Sequence, residues 1–118
     1  MRLVVAEFGV IPGWIAVITE YNQKVCCKLM QDLGPGESSC IAIALGQERP
    51  LLTIDDRQAK KIAEKLGVEC IGSLGVLLIA KQQGVFAEVG SILQQIQLTD
   101  FRVSHQLLDK VRRLAGEA

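Results

Sequence analysis

Apolar positions recur along this chain at two spacings, and the switches between them mark out its elements. Trp14-Ile15-Ala16-Val17-Ile18-Thr19 follows the breaker Pro12-Gly13 and is rich in β-branched residues, which predicts a strand. Residues 22–33 place Val25, Cys26, Leu29 and Leu33 on one helical face. Gly34-Pro35-Gly36 ends that helix and starts another that runs to about Gly46. Leu51 to Ile54 is a short buried strand, and Ala59, Ile62, Ala63 and Leu66 repeat at helical spacing behind it. Asp55 or Asp56 supplies the cap of that helix, and Gly67 closes it. Val68 to Ile71 predicts another strand. Leu74 to Ala80 is almost wholly apolar, predicting a central, buried helix that ends at Gly84. Val89, Ile92, Leu93 and Ile96 define a further helix, and Ser104 caps a last one carrying Leu107, Leu108, Val111 and Leu114. Short strands alternating with helices give an α/β domain with a largely parallel sheet.

Composition narrows this picture. With 118 residues the chain reads as one domain, 1–118, able to bury roughly two-thirds of its unfolded surface. An apolar fraction of 49% excludes a disordered chain, and with only 4% aromatic residues the aliphatic side chains must fill the core. Thirteen basic residues balance thirteen acidic ones, so the chain is not a generally basic coat for nucleic acid. Cys26, Cys27, Cys40 and Cys70 lack a C-x-x-C spacing, and the single His105 does not complete a zinc set. Glu7 interrupts the apolar start Leu3-Val4-Val5-Ala6, unlike a signal peptide, and no apolar run reaches membrane-spanning length. The expectation is a cytoplasmic protein with reduced thiols and no membrane association.

The chemistry concentrates where the strand Leu51-Leu52-Thr53-Ile54 stops at Asp55-Asp56-Arg57. In a parallel α/β layer, helices begin at the carboxyl edge of the strands, and ligands bind there. Glu37 lies in the first turn of the upstream helix, so it and Asp55 are expected at the same edge. Clustered carboxylates repel unless a cation neutralises them, and hard oxygen ligands suit Mg²⁺ or Mn²⁺. Such a cation can position a water for phosphodiester attack, with the Thr53 hydroxyl steadying a ligand or water. The same residues have a plainer use, because Asp at an N-cap and Glu in a first turn stabilise helices without metal. Asp56 is the cap and Asp55 the site acid, or the reverse.

The run Gly36-Glu37 through Ala44, followed by Leu51 through Arg57, resembles the PIN-domain superfamily of metal-dependent ribonucleases. Leu66-Gly67-Val68-Glu69-Cys70-Ile71-Gly72-Ser73-Leu74-Gly75, Phe101-Arg102-Val103-Ser104 and Ala115-Gly116-Glu117 extend the likeness over most of the chain from Trp14 onward. The nearest branch is a prokaryotic set of predicted nucleic-acid-binding proteins related to the VapC toxins of toxin–antitoxin pairs. The resemblance implies a three-layer α/β/α fold with a short, mostly parallel sheet. It implies that Glu37 and Asp55 are the catalytic, metal-binding acids and that Ser73 is a small polar position near the substrate; by their own position, Asp56 is a further candidate at the metal, and Thr53 and Arg57 are candidates around the substrate. It also implies Mg²⁺ or Mn²⁺, RNA, and an antitoxin-like protein partner. One departure matters: members of the family open with a strand ending in an aspartate, and here no Asp precedes Asp32. The family's first strand–helix unit and first metal-binding acid are therefore expected to be missing, with Leu3-Val4-Val5-Ala6 and Glu7 as poor replacements. A sheet without that strand leaves unpaired backbone and apolar surface, for which a homo-oligomer is the expected cover.

Other residues carry less. Arg57, Lys60, Lys61 and Lys65 can meet phosphates or form a solvated helix face, and Lys110, Arg112 and Arg113 suit a helix C-terminus. His105 sits at a helix start without an evident partner, and the Cys26–Cys27 pair places one thiol inside and one outside. Three function classes follow: a toxin-type Mg²⁺- or Mn²⁺-dependent endoribonuclease, a degenerate PIN-like module that binds protein or RNA without cleaving, and a truncated remnant that self-associates.

Overall fold

A computed structural model describes residues 13–101 and 103–117, and helix capping and β-strand pairing divide these described residues into eight elements. Helix α1 spans Gln23–Leu29, with the Asn22 side chain accepting from the Val25 N–H at 3.2 Å. It stops short of the predicted Leu33 because the chain turns from Met30 onward. Cys26 is buried and Cys27 exposed, as neighbours on a helix must be when only one face is covered. Helix α2 covers Pro35–Leu45, with Gly34 at its N-cap and Pro35 in the first turn, where a missing N–H costs nothing.

Strand β1 (Leu51–Thr53), helix α3 (Arg57–Lys65) and strand β2 (Glu69–Ile71) form a βαβ unit. The strands are parallel, with Leu51, Leu52 and Thr53 opposite Glu69, Cys70 and Ile71. The Ile54 N–H extends the ladder to the Ile71 carbonyl at 2.9 Å. Around this unit Ile41, Ala44, Leu52, Ile54, Ala59, Ala63 and Val68 form one hydrophobic cluster. Helices α4 (Ser73–Gln82), α5 (Val89–Gln97) and α6 (His105–Leu114) build a second, from Leu74, Val89, Leu93, Leu108 and Val111. The predicted α/β class, with helices packed on a short parallel sheet, is the observed one.

Two expectations change. Trp14 to Thr19 forms no strand, since it enters no ladder among the described residues, and Trp14 is 85% exposed. Helix α4 is not central either: Leu74 is buried, whereas Val76 and Ile79 are about two-fifths exposed. It packs on α5 and α6, and no third layer among the described residues covers its other face. The suggested replacement strand Leu3-Val4-Val5-Ala6, Glu7 and Arg102 lie outside the described residues. No helix among those described is long and apolar enough to cross a membrane.

Leu93 has no accessible surface, so Leu93→Ala removes buried methyl groups from the centre of the second cluster. It is expected to lower stability by about 2–5 kcal/mol in urea denaturation.

Candidate functional site

The turn after β1 sends two adjacent carboxylates in different directions. Asp56 is the N-cap of α3: its Oδ2 accepts from the Ala59 N–H at 2.9 Å, satisfying a donor that the helix leaves open. Asp55 reaches instead to the start of α4, where Oδ1 accepts from the Ser73 N–H at 2.8 Å and Oδ2 from the Ser73 hydroxyl at 2.6 Å. Gly72, the N-cap of α4, has no side chain to perform this task. Asp55 performs it from a distant position in the sequence, and the positive end of the helix dipole favours its charge. A Cβ on Gly72 would lie 3.1 Å from Asp55 Oδ1, so the close approach depends on glycine.

Glu37 belongs to the first turn of α2, and its carboxylate folds back over the helix start, beside Gly34. Gly36, Glu37, Cys40, Thr53, Ile54, Asp55 and Asp56 line one cavity of about 310 Å³. The edge of the sheet thus gathers the three predicted acids and Thr53. Ser73 is joined to them through Asp55. Arg57, in the first turn of α3, is exposed and lines neither this cavity nor the next. Among the described residues no group of three or more His, Cys, Asp or Glu converges closely enough to cage a metal ion.

Asp55 also borders a second cavity of about 410 Å³ between α3, α4 and α6. Lys60 and Lys110 stand on its walls with Phe101, Leu107 and Leu114. Lys61 and Lys65 are exposed along α3 and line neither cavity. The Lys60–Glu64 pair is 4.0 Å apart with both side chains about half exposed, and contributes little to stability. His105 is exposed at the start of α6. Burial, reinforced by Glu64 and opposed by Lys60, pushes the Cys70 thiol up, away from a reactive thiolate.

These features sit on a fold that can now be placed among known ones. The PIN-domain family profile matches residues 4–117, nearly the whole chain. The chain belongs to the PIN-domain family. Comparison with curated proteins finds no match, and comparison with solved structures finds none. PIN-domain membership agrees with the α/β architecture and with a nuclease-like fold.

A second carboxylate site went unrecognised in the sequence. Gly116, at φ 76°, turns the chain at the end of α6 in a Schellman arrangement, with the Glu117 N–H on the Arg112 carbonyl at 2.8 Å and the Gly116 N–H on the Arg113 carbonyl at 3.0 Å. The turn returns Glu117 to the start of α5, where its carboxylate accepts from the Val89 N–H at 2.7 Å and the Gly90 N–H at 2.9 Å. Lys81 donates to the same carboxylate at 2.5 Å and to the Ala115 carbonyl at 2.6 Å. A glycine just past the last periodic residue announces the turn, but nothing local announces Lys81, 36 positions away.

The Lys81 hydrogen bond first, and the two backbone donors after it, pull the Glu117 carboxyl from 4.5 down to about 2. A carboxylate whose pKa is depressed on folding adds stability that is complete above about pH 4.5 and is lost as pH falls toward 2. Glu117→Gln is therefore expected to be less stable than the parent at pH 7, with the gap closing as pH falls from 4.5 toward 2. Paired urea titrations across that window measure it.

Proposed function

We propose that this PIN domain is a metal-dependent endoribonuclease of the toxin-type lineage, with Glu37 and Asp55 as its principal acids. The carrying observation is that residues from α2 and from the end of β1 line one cavity at the carboxyl edge of a parallel sheet. The donor set suits a hard cation: carboxylate oxygens with the Thr53 hydroxyl beside them match Mg²⁺ or Mn²⁺ rather than a softer metal. Mg²⁺ is commonly held through one or two carboxylates with water completing its shell, which fits a site lacking a closed protein cage. When bound, the cation supplies Lewis-acid polarisation and lowers the pKa of a coordinated water. Asp56 spends one oxygen on Ala59 and supports the cavity wall, and Ser73 orients Asp55 by binding both of its oxygens. The lineage brings with it an antitoxin-like protein partner, and four unpaired thiols suit the reducing cytoplasm.

Purified chain is expected to cleave single-stranded RNA with Mn²⁺ or Mg²⁺, and to lose cleavage in EDTA. Asp55→Asn and Glu37→Gln, which keep shape and remove charge, are expected to lower the rate by about a hundredfold or more. Unchanged cleavage in both variants rules out this assignment.

A second reading, a non-catalytic module that self-associates, draws on a separate observation. Among the described residues β1 pairs only with β2, and its other side borders an apolar groove of about 610 Å³. Ala16, Val17, Ile18, Ile43 and Leu51 line that groove. A second copy of the chain is the proposed cover of this groove. Light scattering at micromolar concentration is expected to give a dimer mass, and Leu51→Lys to shift it to that of a monomer.

A further inference from the structure

The cavity between α3, α4 and α6 shares only Asp55 with the acid-lined one, and it has the makings of a binding pocket. Its volume, about 410 Å³, falls in the range of small-ligand sites. Leu74, Leu78 and Val111 line it beneath an unusually apolar rim: Phe101 is 41%, Leu107 43% and Leu114 62% exposed. Apolar side chains left open around a concavity, with charges beside them, mark a recognition surface rather than a solvated face. Three charged residues stand on its lining: Lys60 from α3, Lys110 from α6, and Asp55 at the end shared with the acid-lined cavity.

The backbone at Phe101 is tethered. Its N–H donates to the Thr99 hydroxyl at 3.2 Å, and that hydroxyl donates to the Ile96 carbonyl at 2.6 Å, tying the loop to the end of α5. An exposed aromatic ring and two lysines lining one cavity match what a nucleotide offers: a flat π-face and a phosphate. Asp55 is the one residue shared by this cavity and the acid-lined one. A strand with a base in the larger cavity would therefore run its neighbouring phosphodiester past Asp55 toward Glu37.

We propose that this cavity is a nucleotide pocket that takes one unpaired base of a single-stranded RNA, stacked on Phe101, with its phosphate between Lys60 and Lys110. The pocket rests on the nuclease reading for its biological use, but not for its binding chemistry. It requires an unstacked base, so it selects single strands over duplex.

The test is binding of a short labelled single-stranded RNA to the full chain in EDTA, by fluorescence anisotropy, where cleavage plays no part. Phe101→Ala and the double variant Lys60→Gln with Lys110→Gln are each expected to weaken binding at least about fivefold. Phe101→Trp keeps a stacking face and is expected to retain affinity. Lys61→Gln with Lys65→Gln removes the same charge from α3 outside the cavity and is expected to have a smaller effect. A duplex of the same sequence is expected to bind more weakly. Circular dichroism of each variant separates loss of binding from loss of fold. Equal losses from the two lysine pairs, unchanged binding in folded Phe101→Ala, duplex binding as strong as single-strand binding, or no binding by the parent chain would each overturn the pocket. If Phe101→Ala binds normally while a peptide helix bearing acidic residues competes for the cavity, the surface is a protein-docking face instead. Binding that survives in a chain without metal-dependent cleavage would sink the catalytic reading and leave the pocket standing.

Discussion

The bond that organises this molecule is the grip of Asp55 on Ser73. One hydrophobic cluster surrounds the βαβ unit and another holds the last three helices together. Asp55 crosses between them, accepting both the backbone and side-chain protons of the residue that starts α4. Because α4 begins at Gly72 with no side-chain cap of its own, this carboxylate satisfies a helix end from another element. The same atom group stands between the two cavities of interest. Fold and site therefore share one charged side chain, which constrains how either can vary.

Glu117 repeats this logic at the other end of the chain. It too is a carboxylate brought from outside to the beginning of a helix, and it adds Lys81 as a counter-charge. Three acids, Asp55, Asp56 and Glu117, thus spend oxygens on helix N-termini. Helix capping and the proposed catalytic role are not competing explanations for Asp55. A carboxylate fixed by two donors is rigid, and rigidity is what a metal or substrate site requires of its ligands.

The open character of the fold follows from its short sheet. Two three-residue strands give little area on which to fold helices. Helix α4 shows the consequence: its sequence is apolar enough for a central position, yet Val76 and Ile79 remain about two-fifths exposed. The apolar groove beside β1 is another consequence, arising where a sheet edge is left uncovered.

Local pattern alone determined most of the element order, the parallel class, and the capping role of Ser104, because periodicity and capping act over three or four positions. It also brought Glu37 and Asp55 to the same edge, since strand and helix ends in a parallel layer have only one place to go. What it left open was which of two adjacent aspartates faces the site; the direction each side chain takes depends on where α4 lies. Trp14 to Thr19 misled for a related reason: β-branched residues favour an extended backbone, but a strand exists only where a neighbour supplies hydrogen bonds. The Glu117–Lys81 pair and the Lys60–Phe101–Lys110 cavity were equally out of reach. Both join residues far apart in the chain, whose meeting is set by how the helices pack and not by any local preference.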